Sequence, residues 1–141
     1  VLFVYNHDYF YTKTGTSYYL GARHGNRYAI SWDGDLLIHP NDVKKCLVEK
    51  EYIGCSDVVS DEPVFVQIDE KNHVLGFSRE YGDFEWVGPA CLQKNKIKYV
   101  SNNVFNIFEQ YLPIDILNID ARDIDTYDDY LRAQEFVRSW K

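Results

Sequence analysis

Apolar and polar positions along the chain alternate with two different periods, and the switches between them mark out elements. The run "VLFVY" at residues 1–5 predicts a buried strand. A polar, aromatic loop follows to about Thr14, and "GTSYYLGARH" predicts a short helix with Thr16 or Ser17 near its N-cap. "RYAISW" predicts a second strand that runs directly into Asp33-Gly34-Asp35. "HPNDVKKCLVEKE" has helical spacing, with Asn41 or Asp42 in the cap region and Val43, Cys46 and Leu47 on one face. "CSDVVS" is a short strand or turn. "PVFVQIDEKNHVLGFSRE" is a hairpin, two alternating runs around Glu70-Lys71-Asn72. "EWVGPACL" predicts a strand interrupted at Gly88-Pro89, as at a bulge or a sheet edge. "SNNVFNIFEQYL" predicts a helix with Val104, Ile107, Phe108 and Leu112 on its apolar stripe, and "IDILNID" predicts another strand. The last helix is "TYDDYLRAQEFVRSW", capped by Thr126, with acids in its first turn and Tyr130, Leu131, Phe136 and Val137 facing inward.

Strands alternate with helices at both ends and a hairpin lies between them, which predicts an α/β fold of three layers around a mixed sheet. No repeat, low-complexity tract or linker divides the chain, so residues 1–141 are expected to form one domain. The sequence contains no methionine, and "VLFVY" at its start resembles a core strand. The expectation is therefore a piece of a longer protein with residues preceding Val1; removal of an initiator methionine is the milder reading.

Composition narrows the chemistry. A net charge of -7 without a long basic run argues against nucleic acid as a partner. An acidic protein acting on anionic substrates usually recruits a cation to bridge the like charges. Cys46, Cys55 and Cys91 are odd in number and lack metal-ligand spacing, which suggests a reducing compartment. There is no apolar run of membrane-spanning length and no signal-peptide pattern. The expected location is the cytoplasm, with no membrane partner.

The candidate chemistry lies in two acidic pairs, Asp33 with Asp35 and Asp123 with Asp125, each at the end of an expected strand. Ligands of open α/β sheets sit beyond the carboxyl ends of strands. Residues two apart in a strand point the same way, so each pair offers two hard oxygen ligands, the kind Mg²⁺ takes. A single such pair is more often a solvated turn; two pairs at strand ends tip the reading toward a metal. Arg79 follows the hairpin and is placed to face a phosphate. His7, His24, His39 and His73 lack metal-ligand spacing, and no nucleophile-elbow motif is present. Asp128 and Asp129 are assigned to the electrostatics of the last helix.

Four stretches carry a resemblance. "SWDGDLLIHPNDVKKCL" and "DIDTYDDYLRAQEFV" resemble the metal strand and the closing acidic turn and helix of nucleotidyltransferases that activate sugars and phosphocholine with an NTP. "YNHDYFYTKTGTSYYLGAR" resembles the segment preceding that metal strand, and "VFVQIDEKNHVLGFSREYGDFEWVGPACL" resembles the family's mid-domain hairpin and acceptor-side strand. The resemblance implies a fold of the nucleotide-diphospho-sugar transferase type, present in part. It implies Asp35 and Asp125 as the catalytic metal positions, with Asp33 and Asp123 adjacent, and Glu85 and Gly88 on the acceptor side. Ser17 matches a serine of the segment before the metal strand. The implied reaction is Mg²⁺-dependent attack by a small phosphorylated acceptor on the α-phosphate of an NTP, CTP being favoured, with release of pyrophosphate. The family opens with a glycine-rich loop carrying Arg and followed by Lys, and nothing here matches it. The resemblance thus covers the metal- and acceptor-side part of the domain. Tyr5, Tyr9, Tyr11, Trp32, Tyr81 and Trp86 are the candidates for contacting a choline-like cation. Two other readings compete: a glycosyltransferase using D-x-D to hold a nucleotide sugar, and a non-catalytic interaction module whose exposed sheet edges would favour a homo-oligomer.

Overall fold

The computed structural model describes residues 1–140. Six strands form one mixed sheet: β1 (Tyr28–Ser31), β3 (Tyr52–Ser56), β4 (Phe65–Ile68), β5 (His73–Ser78), β6 (Phe84–Gln93) and β7 (Ile114–Asn118). Their order is β1-β6-β3-β7-β5-β4, and β4 also pairs with β6. β3 and β7 run parallel; the other pairings are antiparallel. A separate two-stranded ladder joins β2 (Leu36–Ile38) to β8 (Ala121–Asp123). The helices are α1 (Tyr9–Ala22), α2 (Pro40–Cys46), α3 (Phe105–Phe108) and α4 (Tyr127–Arg138).

The alternation of side chains along the central strands divides the core between two faces. Ile53, Ala90 and Leu92 point to one face, where they meet Tyr18 and Ala22 of α1 and Ile107 and Phe108 of α3. Tyr52, Val87 and Cys91 point to the other, where they meet Cys46 of α2, Ile38 of β2 and Ala121 of β8. Helices on both faces of a mixed sheet make the three-layer arrangement that the element order implies.

Several local expectations change. Residues 1–5 form no strand, and Phe3 is 76% exposed. A strand persists only where a neighbour takes up its backbone groups, and none of the described residues pairs with this run. The aromatic segment before Thr14 is helical. It forms the first turn of α1, which is kinked at Lys13 (φ 55°), and Asp8 occupies the N-cap in place of Thr16 or Ser17. The cap of α2 is His39, whose Nδ1 accepts from the Asn41 N–H at 3.2 Å. Asp42 is buried instead, accepting from the Asp120 N–H at 2.8 Å and pairing with Lys45, and Leu47 lies exposed. The helix expected over "SNNVFNIFEQYL" shortens to α3 and a 3₁₀ turn at Glu109–Tyr111. In α4 the buried residues are Ala133 and Phe136, while Tyr130, Leu131 and Val137 stay largely exposed.

The larger adjustments concern β3 and β6. β3 is a fully buried central strand, Tyr52–Ser56, so the strand alternative at "CSDVVS" holds only for Cys55 and Ser56 and the strand starts three residues earlier. β6 is continuous and lies in the interior of the sheet, not at an edge, and the expected bulge falls at Gly88-Pro89, where β6 steps from Trp86 to Ala90 against only Cys55 to Ile53 of β3. Pro89 has no N–H to give to a ladder, and the β3 register shifts between Ile53 and Cys55 opposite it. Gly54 makes this crossing feasible, because a Cβ there would collide with the Pro89 carbonyl.

Candidate active site

β1 ends at Ser31, and the chain turns through Asp33-Gly34-Asp35, with the Leu36 N–H donating to the Asp33 carbonyl at 3.4 Å. The two aspartates therefore lie on a turn, not along a strand as expected. β2 then pairs with β8 in a register that sets Leu36 opposite Asp123. Asp125 follows two residues later, just before α4. There Thr126 accepts from the Asp129 N–H at 3.2 Å, and the Asp129 carboxylate accepts from the Thr126 N–H at 2.9 Å. This reciprocal cap fixes the start of α4 and hence the direction in which the 123–125 segment leaves the ladder.

The result is a convergence of residues from both ends of the chain. Asp35, Asp123 and Asp125 are exposed, and each offers one carboxylate oxygen within 4.8 Å of the others. Asp33 stands apart from this triad. It is half-buried, and its Oδ2 lies 2.9 Å from where a side chain at residue 88 would begin. Gly88 has φ +99°, so both its backbone conformation and the closeness of Asp33 require glycine. Asp33 also lines a cleft of about 510 Å³ between α1 and β1, together with Tyr9, Ser17, Tyr18, Tyr28 and Trp32.

Two of the four carboxyls, Asp123 and Asp33, are raised. Burial pushes the Asp123 carboxyl up to about 6, and the charges of Asp125 and Asp35 add to the shift. Asp33 is raised above the usual carboxylate range by burial, then by Asp35 and Asp125. No salt bridge among the described residues neutralises any of them. Converging hard oxygen donors without a basic partner match the donor set of a divalent cation such as Mg²⁺ and do not match the N/S ligands typical of structural zinc.

The other expected residues fall elsewhere. Glu85 is 5% exposed, and its carboxylate already accepts from the Val59 N–H (2.8 Å), the Ser60 N–H (3.1 Å) and the Ser60 hydroxyl (2.5 Å). Arg79 is exposed and donates to the Glu62 carbonyl at 3.1 Å. His39 packs on Phe136 and Trp140, while His73 lies between Asp69 and Asp115. Trp86 packs among Phe77, Phe105 and Phe108, and so is not placed with Tyr9 and Trp32 in a cage around a cation. Val59 and Ser60, which bind Glu85, lie in the β3–β4 connection and are not among the site residues expected from sequence; the only hint is the acidic, serine-containing composition of that connection.

By sequence, no protein-family model and no curated protein matches this chain. By structure, several solved proteins do. The inositol-1-phosphate CTP transferase from T. maritima aligns with a TM-score of 0.70 at 14% identity, over 86% of this chain and 59% of its own. HddC from Yersinia pseudotuberculosis aligns with a TM-score of 0.62 at 18% identity, over 89% of this chain and 63% of its own; a second structure of it is complexed with GMP-PN. The CTP:phosphocholine cytidylyltransferase LicC from Streptococcus pneumoniae aligns with a TM-score of 0.62 at 16% identity, over 95% of this chain and 68% of its own. The chain thus spans about three fifths to two thirds of the length of these proteins. At such identities the likeness concerns architecture: the chain has the mixed α/β fold of the nucleotidyltransferases, over the part of that fold which it covers.

Proposed function

We propose that this chain forms the metal- and acceptor-side part of a nucleotidyltransferase that moves a nucleotidyl group from an NTP, with CTP favoured, onto a small phosphorylated acceptor and releases pyrophosphate. The observation that carries the reading is the convergence of Asp35 with Asp123 and Asp125, from opposite ends of the chain, in a fold whose solved examples include two CTP-dependent transferases. Asp35, Asp123 and Asp125 would hold Mg²⁺ through carboxylate oxygens, with Asp33 at the margin of the same charge cluster. A cation bound there supplies charge neutralisation for the phosphates that approach it. The chain's own residues do the positioning. The α1–β1 cleft, lined by Tyr9, Tyr18, Tyr28, Trp32 and the Asp33 carboxylate, would take the acceptor. Gly88 keeps the floor of β6 free of a side chain, so that Asp33 can lie against it. None of the described residues needs to form a covalent intermediate, since alignment and charge balance account for most catalysis in phosphoryl-type transfer. No helix of the described residues is long and apolar enough to cross a membrane. The three cysteines are free and buried, which supports a cytoplasmic setting for the reaction.

The test is release of pyrophosphate from CTP in the presence of phosphorylated acceptors, with the Asp35→Asn and Asp125→Asn variants of the full-length protein alongside the wild type. Each substitution is expected to lower turnover by orders of magnitude while the circular dichroism spectrum stays unchanged. Wild-type turnover in both variants would refute the assignment.

A further inference from the structure

The hydrogen bonds around Glu85 belong to a larger tie. Residues 57–62 cross from the end of β3 toward β4 as a strap held from three elements. Glu85 of β6 accepts from Val59 and Ser60. Arg79, following β5, donates to the Glu62 carbonyl. Arg132 of α4 donates through one Nη2 to Asp61 at 3.1 Å and to Asp129 at 2.8 Å. Asp129 is the residue that closes the cap on Thr126, next to Asp125. A small cavity of about 50 Å³ is bordered by the strap at Val59 and Ser60, by Glu85 and Arg132, and by Asp123 itself. A continuous set of contacts thus runs from the buried carboxylate of β6, through the strap and Arg132, to the segment carrying Asp123 and Asp125.

We propose that Glu85 and Arg132 are positioning residues, which hold the strap between β6 and α4 so that Asp123 and Asp125 stay aligned with Asp35. This deepens the metal reading above and rests on it. It also gives Glu85 a role different from the acceptor contact that the family resemblance implies. The side chain is buried and its carboxylate engaged, so it acts through the strap without needing to touch a substrate. Outer partners that orient metal ligands commonly contribute ~10- to 100-fold to metal affinity.

Arg132 makes the inference testable because charge and position predict opposite signs. Removing a cation beside an acidic triad should by Coulomb's law alone tighten cation binding. Loss of alignment should weaken it. The experiment titrates Mn²⁺ alone, with no nucleotide or acceptor, and follows free Mn²⁺ by electron paramagnetic resonance. Wild type, Arg132→Ala, Arg132→Lys, Glu85→Gln and Asp35→Asn are compared, and melting temperatures are measured in parallel.

The expected result is that Arg132→Ala and Glu85→Gln bind Mn²⁺ about tenfold more weakly, the lower end of that range. Arg132→Lys should restore binding, since an ammonium can reach both Asp61 and Asp129. If Arg132→Ala binds as tightly as wild type or more tightly, while Asp35→Asn abolishes binding, the positioning role is overturned and the metal site stands. If Glu85→Gln leaves Mn²⁺ binding unchanged, Glu85 has no part in the alignment. If wild type binds no better than Asp35→Asn, the metal reading fails and takes this inference with it.

Discussion

Charge repulsion at the triad should be visible as stability in the absence of any substrate. Asp123 is the residue to change, because its environment opposes its charge from two directions, through partial burial and through the carboxylates of Asp125 and Asp35. A carboxyl raised from 3.8 to about 6 corresponds, at 1.36 kcal/mol per pH unit, to ~3 kcal/mol of penalty on the charged form. Asp123 is exposed, so solvent screening reduces the share that reaches folding stability to roughly 1 kcal/mol. The sign follows from linkage. The folded-state value lies above the unfolded one, so this contribution favours folding below pH ~4 and is lost as the pH rises through about 6. Asp123→Asn removes the titration, and its Oδ1 keeps the contact with the Ile124 N–H. In metal-chelating buffer at pH 8, the variant should therefore melt higher than wild type by ~3–5 °C, for a domain of this size. At pH 4 the gap should close. Adding Mn²⁺ at pH 8 should raise the wild-type melting temperature and leave the variant nearly unmoved, because a bound cation supplies the same relief. Thermal melts followed by circular dichroism at the two pH values, with and without Mn²⁺, read all three effects. A variant that melts at or below wild type at pH 8 without metal would refute the claim that these carboxylates strain the fold.

Two further substitutions probe the supports of the site. Gly88→Ala puts a side chain on a residue at φ +99° and against the Asp33 carboxylate; it should cost ~1–3 kcal/mol and weaken acceptor binding in the α1–β1 cleft, and an unchanged melting temperature would refute the close packing. Thr126→Ala removes the hydroxyl that accepts from the Asp129 N–H and donates to the Asp129 carboxylate, leaving only the bond from the residue 126 N–H, and should lower stability by ~1 kcal/mol, with a larger proportional loss in Mn²⁺ affinity than any exposed α4 substitution such as Glu135→Ala, a difference that melts and Mn²⁺ titration measure together.

The sequence carried the elements whose local chemistry is complete in itself. The cap of α4 needs only four consecutive residues, and Thr126 caps the helix as expected; Asp129, expected only as a helix-end charge, closes the cap by accepting from Thr126. The hairpin of β4 and β5 declared itself through two alternating runs and a polar turn. Only the end of β3, at Cys55 and Ser56, was legible, for the opposite reason. All five of its residues are buried, so it has no polar face to give a period of two, and the charged "VEKE" before it obscured its start. β2 and β8 are three residues each, too short for any period, and neither was expected. Their ladder is nonetheless what brings Asp35 beside Asp123. The approach of the two acidic pairs was inferred from strand ends and from resemblance, while the contact that produces it could not be read from either segment alone. Residues 1–5 show the converse: the pattern of a strand is a statement about apolarity, and it becomes a strand only when another backbone lies beside it.

The geometry also bears on what the D-x-D string means. Read as a unit, Asp33-Gly34-Asp35 supplies two ligands from one segment, which is the basis of the glycosyltransferase reading. In the structure the turn separates the two side chains. Asp35 faces Asp123 and Asp125, whereas Asp33 lies against Gly88 and borders the α1–β1 cleft. The unit that converges is one residue of the first pair with both residues of the second; it contains the Asp35 and Asp125 that the nucleotidyltransferase resemblance implies and leaves out Asp33. Two aspartates one residue apart can therefore serve different partners, provided the chain turns between them and Gly88 clears the floor beneath Asp33. Spacing in sequence fixes how far apart the two α-carbons can be; only the ladder between β2 and β8 decides which carboxylates face each other.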